Sequence, residues 1–89
     1  LTAAGRLASL LAARQAWDEV IPVVNTALAR DRCWEQGYRL LMQAYASRGS
    51  LAQVQGAYNR CFAALEDEIG VDPSAETRSL LQRLLRSNS

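Results

Sequence analysis

Two stretches decide the fold when laid one above the other: "QAWDEVIPVVNTAL", Gln15 to Leu28, and "GSLAQVQGAYNRCF", Gly49 to Phe62. Their numbers differ by 34, and at that offset Trp17 meets Leu51, Val20 meets Val54, Val24 meets Tyr58, Ala27 meets Cys61 and Leu28 meets Phe62. The register holds upstream, with Leu7 over Leu41, Ala8 over Met42 and Leu11 over Tyr45. Leu7, Ala8 and Leu11, like Tyr38, Leu41, Met42 and Tyr45, recur at intervals of three and four, which makes one apolar stripe on a helix. Each repeat unit therefore reads as two helices.

A period of this length with small or apolar residues at these positions resembles the tetratricopeptide repeat, a pair of antiparallel helices. Ala27 and Cys61 are small where the two helices of a pair cross closely. The expected fold is all-α: tetratricopeptide-like pairs in units near 1–34 and 35–68, with a C-terminal capping helix near 74–86. The five helices are placed near residues 2–14, 18–30, 34–47, 51–68 and 74–86. An unrelated helical bundle with coincidental periodicity is the alternative.

Local signals set the ends. Gly49 supplies a positive-φ stop, and Ser50 with Gln53 reads as a capping box for the next helix. Asp18 is the expected cap of the second helix, with Pro22 in or just beyond its first turn. Gly70 ends the fourth helix in the left-handed conformation, and Val71 is expected to pack back on Leu65. Asp72 or Ser74 then caps the fifth, with Pro73 beside its start and Glu76 in its first turn. Leu80, Leu81, Leu84 and Leu85 form a stripe that lays over the second pair, covering an end that would otherwise leave apolar surface in water. Glu66, Asp67 and Glu68 crowd the C-terminal turn of the fourth helix against its dipole, so a basic partner is expected from Arg78, Arg83 or Arg39, unless the cluster is simply solvated.

Composition narrows the classes of function. The chain has 89 residues, 49% of them apolar and 21% charged, as a small globular domain does and a disordered tail does not. Ten basic and nine acidic residues give a net charge of +1, so neither a phosphate backbone nor an anionic membrane is an obvious partner. No apolar run approaches the ~20 residues that span a bilayer, and the chain reads as cytoplasmic with no membrane partner. With no histidine and two cysteines, Cys33 and Cys61, there is no zinc set and no disulfide framework, and both thiols are expected free. No cofactor is expected. Without histidine, a glycine-rich phosphate loop or a paired-carboxylate cleft, the chain is not expected to be an enzyme. Cys61 reads as a small buried residue and not as a nucleophile.

The run "YRLLMQAYASRGSLAQVQGAYNRCFAALEDEIGVDPSAETRSL", Tyr38 to Leu80, resembles the C-terminal part of the bacterial transcriptional activator domain, found in antibiotic-pathway regulators of the actinobacterial type. "RLLMQAYASRG", "YNRC" and "EDEIGVDPSAETR" carry the likeness, and the first repeat follows it more loosely. The resemblance implies a tetratricopeptide-like domain that follows a winged-helix DNA-binding domain and helps it dimerise or engage the transcription machinery. This sequence departs from the full pattern at its N-terminus, where the winged helix and the family's earliest helices are missing, so it is expected to be a piece of a longer regulator. DNA is then reached only through the missing winged-helix domain, with no direct DNA binding here. Arg78, Arg83 and Arg86 do give the last helix a basic face, but nearby Glu76 and Asp72 balance it, and a solvated face is the simpler reading.

The expected function is protein interaction, with the chain itself, RNA polymerase or another regulatory domain as partner, and a homo-oligomer as one possible outcome. The alternative is a generic tetratricopeptide peptide-binding scaffold unconnected with transcription. By the register, the first helix of each pair lines the concave surface, where Gln36, Arg39, Gln43 and Ser47 project from the second pair and Ser9 from the first. Polar residues there are often merely exposed, but these are the candidate contacts, and changing Arg39 with Gln43 is expected to spare the fold. The acidic corner Glu66, Asp67 and Glu68 is the other candidate. Leu7, Leu10, Leu11 and Trp17 form an N-terminal face with nothing before it in the sequence, and self-association is expected there.

Overall fold

The computed structural model describes residues 2–87, which form α1 (Thr2–Ala13), α2 (Trp17–Arg30), α3 (Glu35–Ser47), α4 (Leu51–Ile69) and α5 (Ala75–Ser87). There is no strand among the described residues. The connections at 14–16, 31–34 and 48–50 are short enough to fold successive helices back on one another. α1 packs on α2, α3 packs chiefly on α2 and α4, and α5 lies across α3 and α4. Each expected helix is present, with ends within one residue of those read from the sequence.

The core follows the register except at Leu7 and Phe62, which are exposed where their mates Leu41 and Leu28 are buried. Val20, Val24, Leu28, Leu41, Met42, Val54, Cys61 and Leu65 are buried, as are Ala8 and Leu80 from the flanking helices. Ala27 and Cys61, the small crossing residues, are both buried. Leu81, Leu84 and Leu85 pack half-buried against this core from α5. Pro22 is accommodated inside α2; the bond its ring cannot donate would go to the carbonyl of Asp18, at the helix start. The Thr26 hydroxyl donates to the Pro22 carbonyl at 2.9 Å.

The two pairs turn their corners with one hydrogen-bond pattern. At the end of α3, Gly49 N–H donates to Ala46 and Ser50 N–H to Tyr45. At the end of α1, Gln15 N–H donates to Ala12 and Ala16 N–H to Leu11, each 34 residues earlier. Gly49 has φ 73°, and Gln15 adopts φ 59° although it carries a side chain.

The expected side-chain caps fail where the backbone is wrong for them. α2 starts at Trp17 after Ala16, and Asp18 lies inside its first turn, where it accepts from Arg48 at 2.9 and 3.0 Å. Ser50 precedes α4 with φ −98° and ψ 84°, short of the extended region from which a cap hydroxyl reaches back over the helix N–H groups, and it makes no capping bond. Gly70 behaves as expected, with φ 66° and its N–H bonded to the carbonyls of Leu65 and Glu66. Val71 does not bury itself on Leu65 and remains 47% exposed. Ser74, and not Asp72, sits at the start of α5, its hydroxyl 3.4 Å from the Thr77 N–H. One period after Arg30, where α2 ends, lies Ala64, yet α4 runs on to Ile69 and so carries the acidic residues beyond the repeat.

Candidate interaction surface

On α3, Gln36, Arg39 and Gln43 are spaced by three and four residues and fall on one side of the helix. α5 crosses beside them. Together with Leu40, Glu76, Leu80 and Arg83 they line a cleft of about 180 Å³. Gln43, Leu80 and Arg83 continue into a second cleft of about 390 Å³ that runs toward Leu84 and Arg86. The structure thus brings three of the four candidate contacts together and sets them against α5. Ser47 lines neither cleft, and its hydroxyl donates to the Ala44 carbonyl at 2.7 Å.

Arg39 has a second role. Its guanidinium donates to Thr77 Oγ1 at 2.9 Å and lies 3.8 Å from carboxylate oxygens of both Glu35 and Glu76. Glu35 is the centre of this group. One of its oxygens accepts from the Ser74 N–H and the Ser74 hydroxyl, each at 2.7 Å, and from the hydroxyl of Thr77. A carboxylate from α3 therefore supplies the N-terminal cap of α5, where the helix dipole also favours negative charge. Burial alone would raise the Glu35 pKa, but the hydrogen bonds from Thr77 and Ser74, with the Arg39 charge, outweigh it and hold the carboxyl below its ordinary value. Thr77 is fully buried beneath α5, and its hydroxyl is satisfied only through this group and Ser74. Arg39 is consequently part of what holds the capping helix, so its replacement is expected to remove a contact between α3 and α5.

The acidic corner lies apart from the clefts. Arg32, in the connection between α2 and α3, is 2.7 Å from Glu68 and 3.4 Å from Asp67; Arg78, Arg83 and Arg39 do not make these pairs. Both partners are exposed, so the pairs add little stability. The same connection is fixed by the Tyr38 hydroxyl, which donates to the Arg32 carbonyl at 2.7 Å, and by the Cys33 thiol, 3.7 Å from the Ala64 carbonyl. Arg60 stacks over Tyr38, 5.8 Å from the ring centre, and donates to Asn25 of α2 at 3.2 Å. Cys61 is buried, and burial, with the nearby Glu35 charge, pushes its thiol up to about 12, so it offers no thiolate near neutral pH.

The sequence reading missed Glu35, Thr77 and Arg32. Glu35 four residues before Arg39 is a legible pair on one helix, but nothing local announces that its carboxylate caps a helix 39 residues further on. It also missed a groove between α1 and α2, about 760 Å³ in volume and lined by Ala3, Ala4, Leu7, Pro22, Val23 and Ala27 among others. No helix among the described residues is long and apolar enough to cross a membrane.

Compared with known proteins, residues 1–85 match the model of one family, the bacterial transcriptional activator domain. No curated protein and no solved structure matches the chain.

Proposed function

Because the chain belongs to the bacterial transcriptional activator domain family, we propose that it is the protein-interaction part of a transcriptional activator and works through the α3–α5 cleft. The observation that carries this reading is the coincidence of that family with a cleft whose rim is Gln36, Gln43 and Arg83 over a floor of Leu40 and Leu80. An apolar floor with a few convergent polar groups is a usual form of binding site. The partner is another protein: a second regulator chain, RNA polymerase or a further regulatory domain. DNA is read elsewhere in the regulator, since ten basic residues against nine acidic ones leave too small an excess of charge to hold a phosphate backbone.

The test uses Gln36→Ala with Gln43→Ala in the full-length regulator and a reporter gene. Neither glutamine takes part in the Glu35 group, so the thermal midpoint stays where it was while activation falls. Unchanged activation by a stably folded double variant moves the contact to the acidic corner of Glu66, Asp67 and Glu68. Sequence-specific binding of duplex DNA by the 89-residue chain alone would overturn the reading.

A further inference from the structure

A groove of about 340 Å³ runs between α2 and α4. The two helices do not pack on one another directly; both pack on α3, which supplies Tyr38 to the lining. Two polar contacts span the gap. Arg60 of α4 donates to the Asn25 side chain of α2 at 3.2 Å, and Arg32, just past the end of α2, reaches Asp67 and Glu68 of α4. Leu28, Ala29, Ala63 and Ala64 add only apolar side chains to the groove, and no carboxylate lines it. Arg60 lies over the Tyr38 ring and forms no ion pair among the described residues, while Arg32 meets its acids at the exposed corner outside the lining. Two like charges therefore border one cavity, and nothing within it neutralises either.

We infer that the α2/α4 groove holds a carboxylate side chain from an acidic segment of another protein, bound between Arg32 and Arg60. In the contacts they already make, each guanidinium is engaged through Nη1 alone, Arg32 with Asp67 and Glu68 and Arg60 with Asn25. The Nη2 donors of both, and the amide N–H groups of Asn25, are left to meet an incoming oxyanion. A carboxylate fits because Arg32 takes two carboxylates in this molecule, and the methyl groups of Ala29 and Ala63 suit the methylene stem that carries one. The acids that compete for Arg32 are weak competitors: the side chains of Asp67 and Glu68 are 71% and 47% exposed, and ion pairs in water yield readily to a second partner. The groove shares no lining residue with the clefts beside α5, so the inference stands apart from the proposed function.

The probe is a tetraglutamate peptide blocked at both ends, titrated at constant ionic strength into the nitrogen-15-labelled 89-residue chain and followed by NMR. Saturable shifts of the Arg60 Nε–H and the Asn25 side-chain amide are expected with a Kd on the order of 0.1–1 mM, against none for tetraglutamine. Arg60→Gln weakens binding by roughly tenfold, whereas Arg14→Gln, which removes the same charge at an exposed residue outside the groove, leaves it unchanged. Asp67→Asn with Glu68→Gln, which removes the internal competitors, tightens binding by about two- to threefold. Circular dichroism melts verify that the variants remain folded, and the gain in the last of them cannot come from a loss of fold. Absence of saturable shifts at about 10 mM peptide overturns the inference. So does equal weakening by Arg14→Gln and Arg60→Gln, which would show attraction to the whole surface, or a gain absent from the Asp67→Asn, Glu68→Gln chain. Tighter binding of inorganic phosphate at the same resonances would make the ligand a phosphoryl group, and a dimer in sedimentation that Arg60→Gln abolishes would make the source of the carboxylate a second copy; either result overturns the assignment.

Discussion

The two helix pairs obey one register and meet different surroundings. Leu41 is sealed while Leu7 stands half in water, and Gly37 lies under an indole while Ala3 borders an open groove. Gly49 turns the second corner with the residue best suited to positive φ, whereas Gln15 makes the same turn with a side chain attached. Among the described residues, the second pair packs on α2 through α3 and on α5 through both its helices, whereas the first pair packs on α3. Periodicity in sequence fixes which side chains point inward in each unit; whether an inward-pointing side chain is buried depends on the unit next to it.

The largest test of this contrast replaces register mates. Leu41→Ala should cost about 2 to 5 kcal/mol, a transfer term plus the cavity it leaves. Leu7→Ala should cost less than about 1 kcal/mol, because much of the side chain is already hydrated. Urea unfolding of the two variants measures both, and equal losses would show that Leu7 is covered in solution.

The next effect concerns α5, which covers one side of the second pair. Glu35→Gln keeps the shape but replaces the charged oxygen that accepts all three bonds with a neutral amide group, with Thr77 buried among the donors, and should cost about 1 to 3 kcal/mol. The pH dependence has a definite sign. Because the folded carboxyl titrates below its ordinary 4.5, its contribution is complete above that pH and is lost as the pH falls through the lowered folded value. The gap between the original chain and Glu35→Gln at pH 7 should therefore shrink below about pH 4.5. Urea midpoints taken from pH 7 to about 3 check this, and a gap that stays constant would show that the carboxylate does not hold α5.

A smaller effect is expected at Gly37. Alanine there gains about 1 kcal/mol of helix propensity, but its Cβ would sit 2.8 Å from Cζ3 of Trp34 and closer still to Cε3. Overpacking against a fixed indole costs about 1 to 3 kcal/mol, so the balance is a modest loss accompanied by a change in Trp34 fluorescence. The smallest effect is a gain: Gln15→Gly should stabilise the chain by about 0.5 to 1 kcal/mol by removing a side chain from a left-handed residue. A rise of a few degrees in Tm measures it, and a fall would mean that the Gln15 side chain contributes something the backbone pattern does not show.

Much of the fold was legible because it rests on information repeated in the chain. The mates at 34 residues, the small crossing residues Ala27 and Cys61, and the stops at Gly49 and Gly70 each state a local requirement that a narrow set of residue types meets. The capping assignments at Asp18 and Ser50 were not legible, because α2 begins one residue before Asp18 and a cap depends on the backbone angles of the cap residue, which at Ser50 are φ −98° and ψ 84°. At the candidate surface, the grouping of Gln36, Arg39 and Gln43 followed from helical spacing alone. That Arg39 is committed to Thr77, and that Arg32 answers the acidic corner, are facts of distant segments meeting. No window of sequence contains both partners.

The overrun of α4 has a consequence for growth of the stack. α3 begins at Glu35, and the position one period later, Ile69, is still inside α4; α5 waits until Ala75. The third unit therefore starts out of phase with the first two. At the opposite end the seam of α1 and α2 keeps the phase of its neighbour. A further pair of the same geometry fits in step at that end alone, so the molecule has a direction, and elements added on its two sides meet different geometric rules.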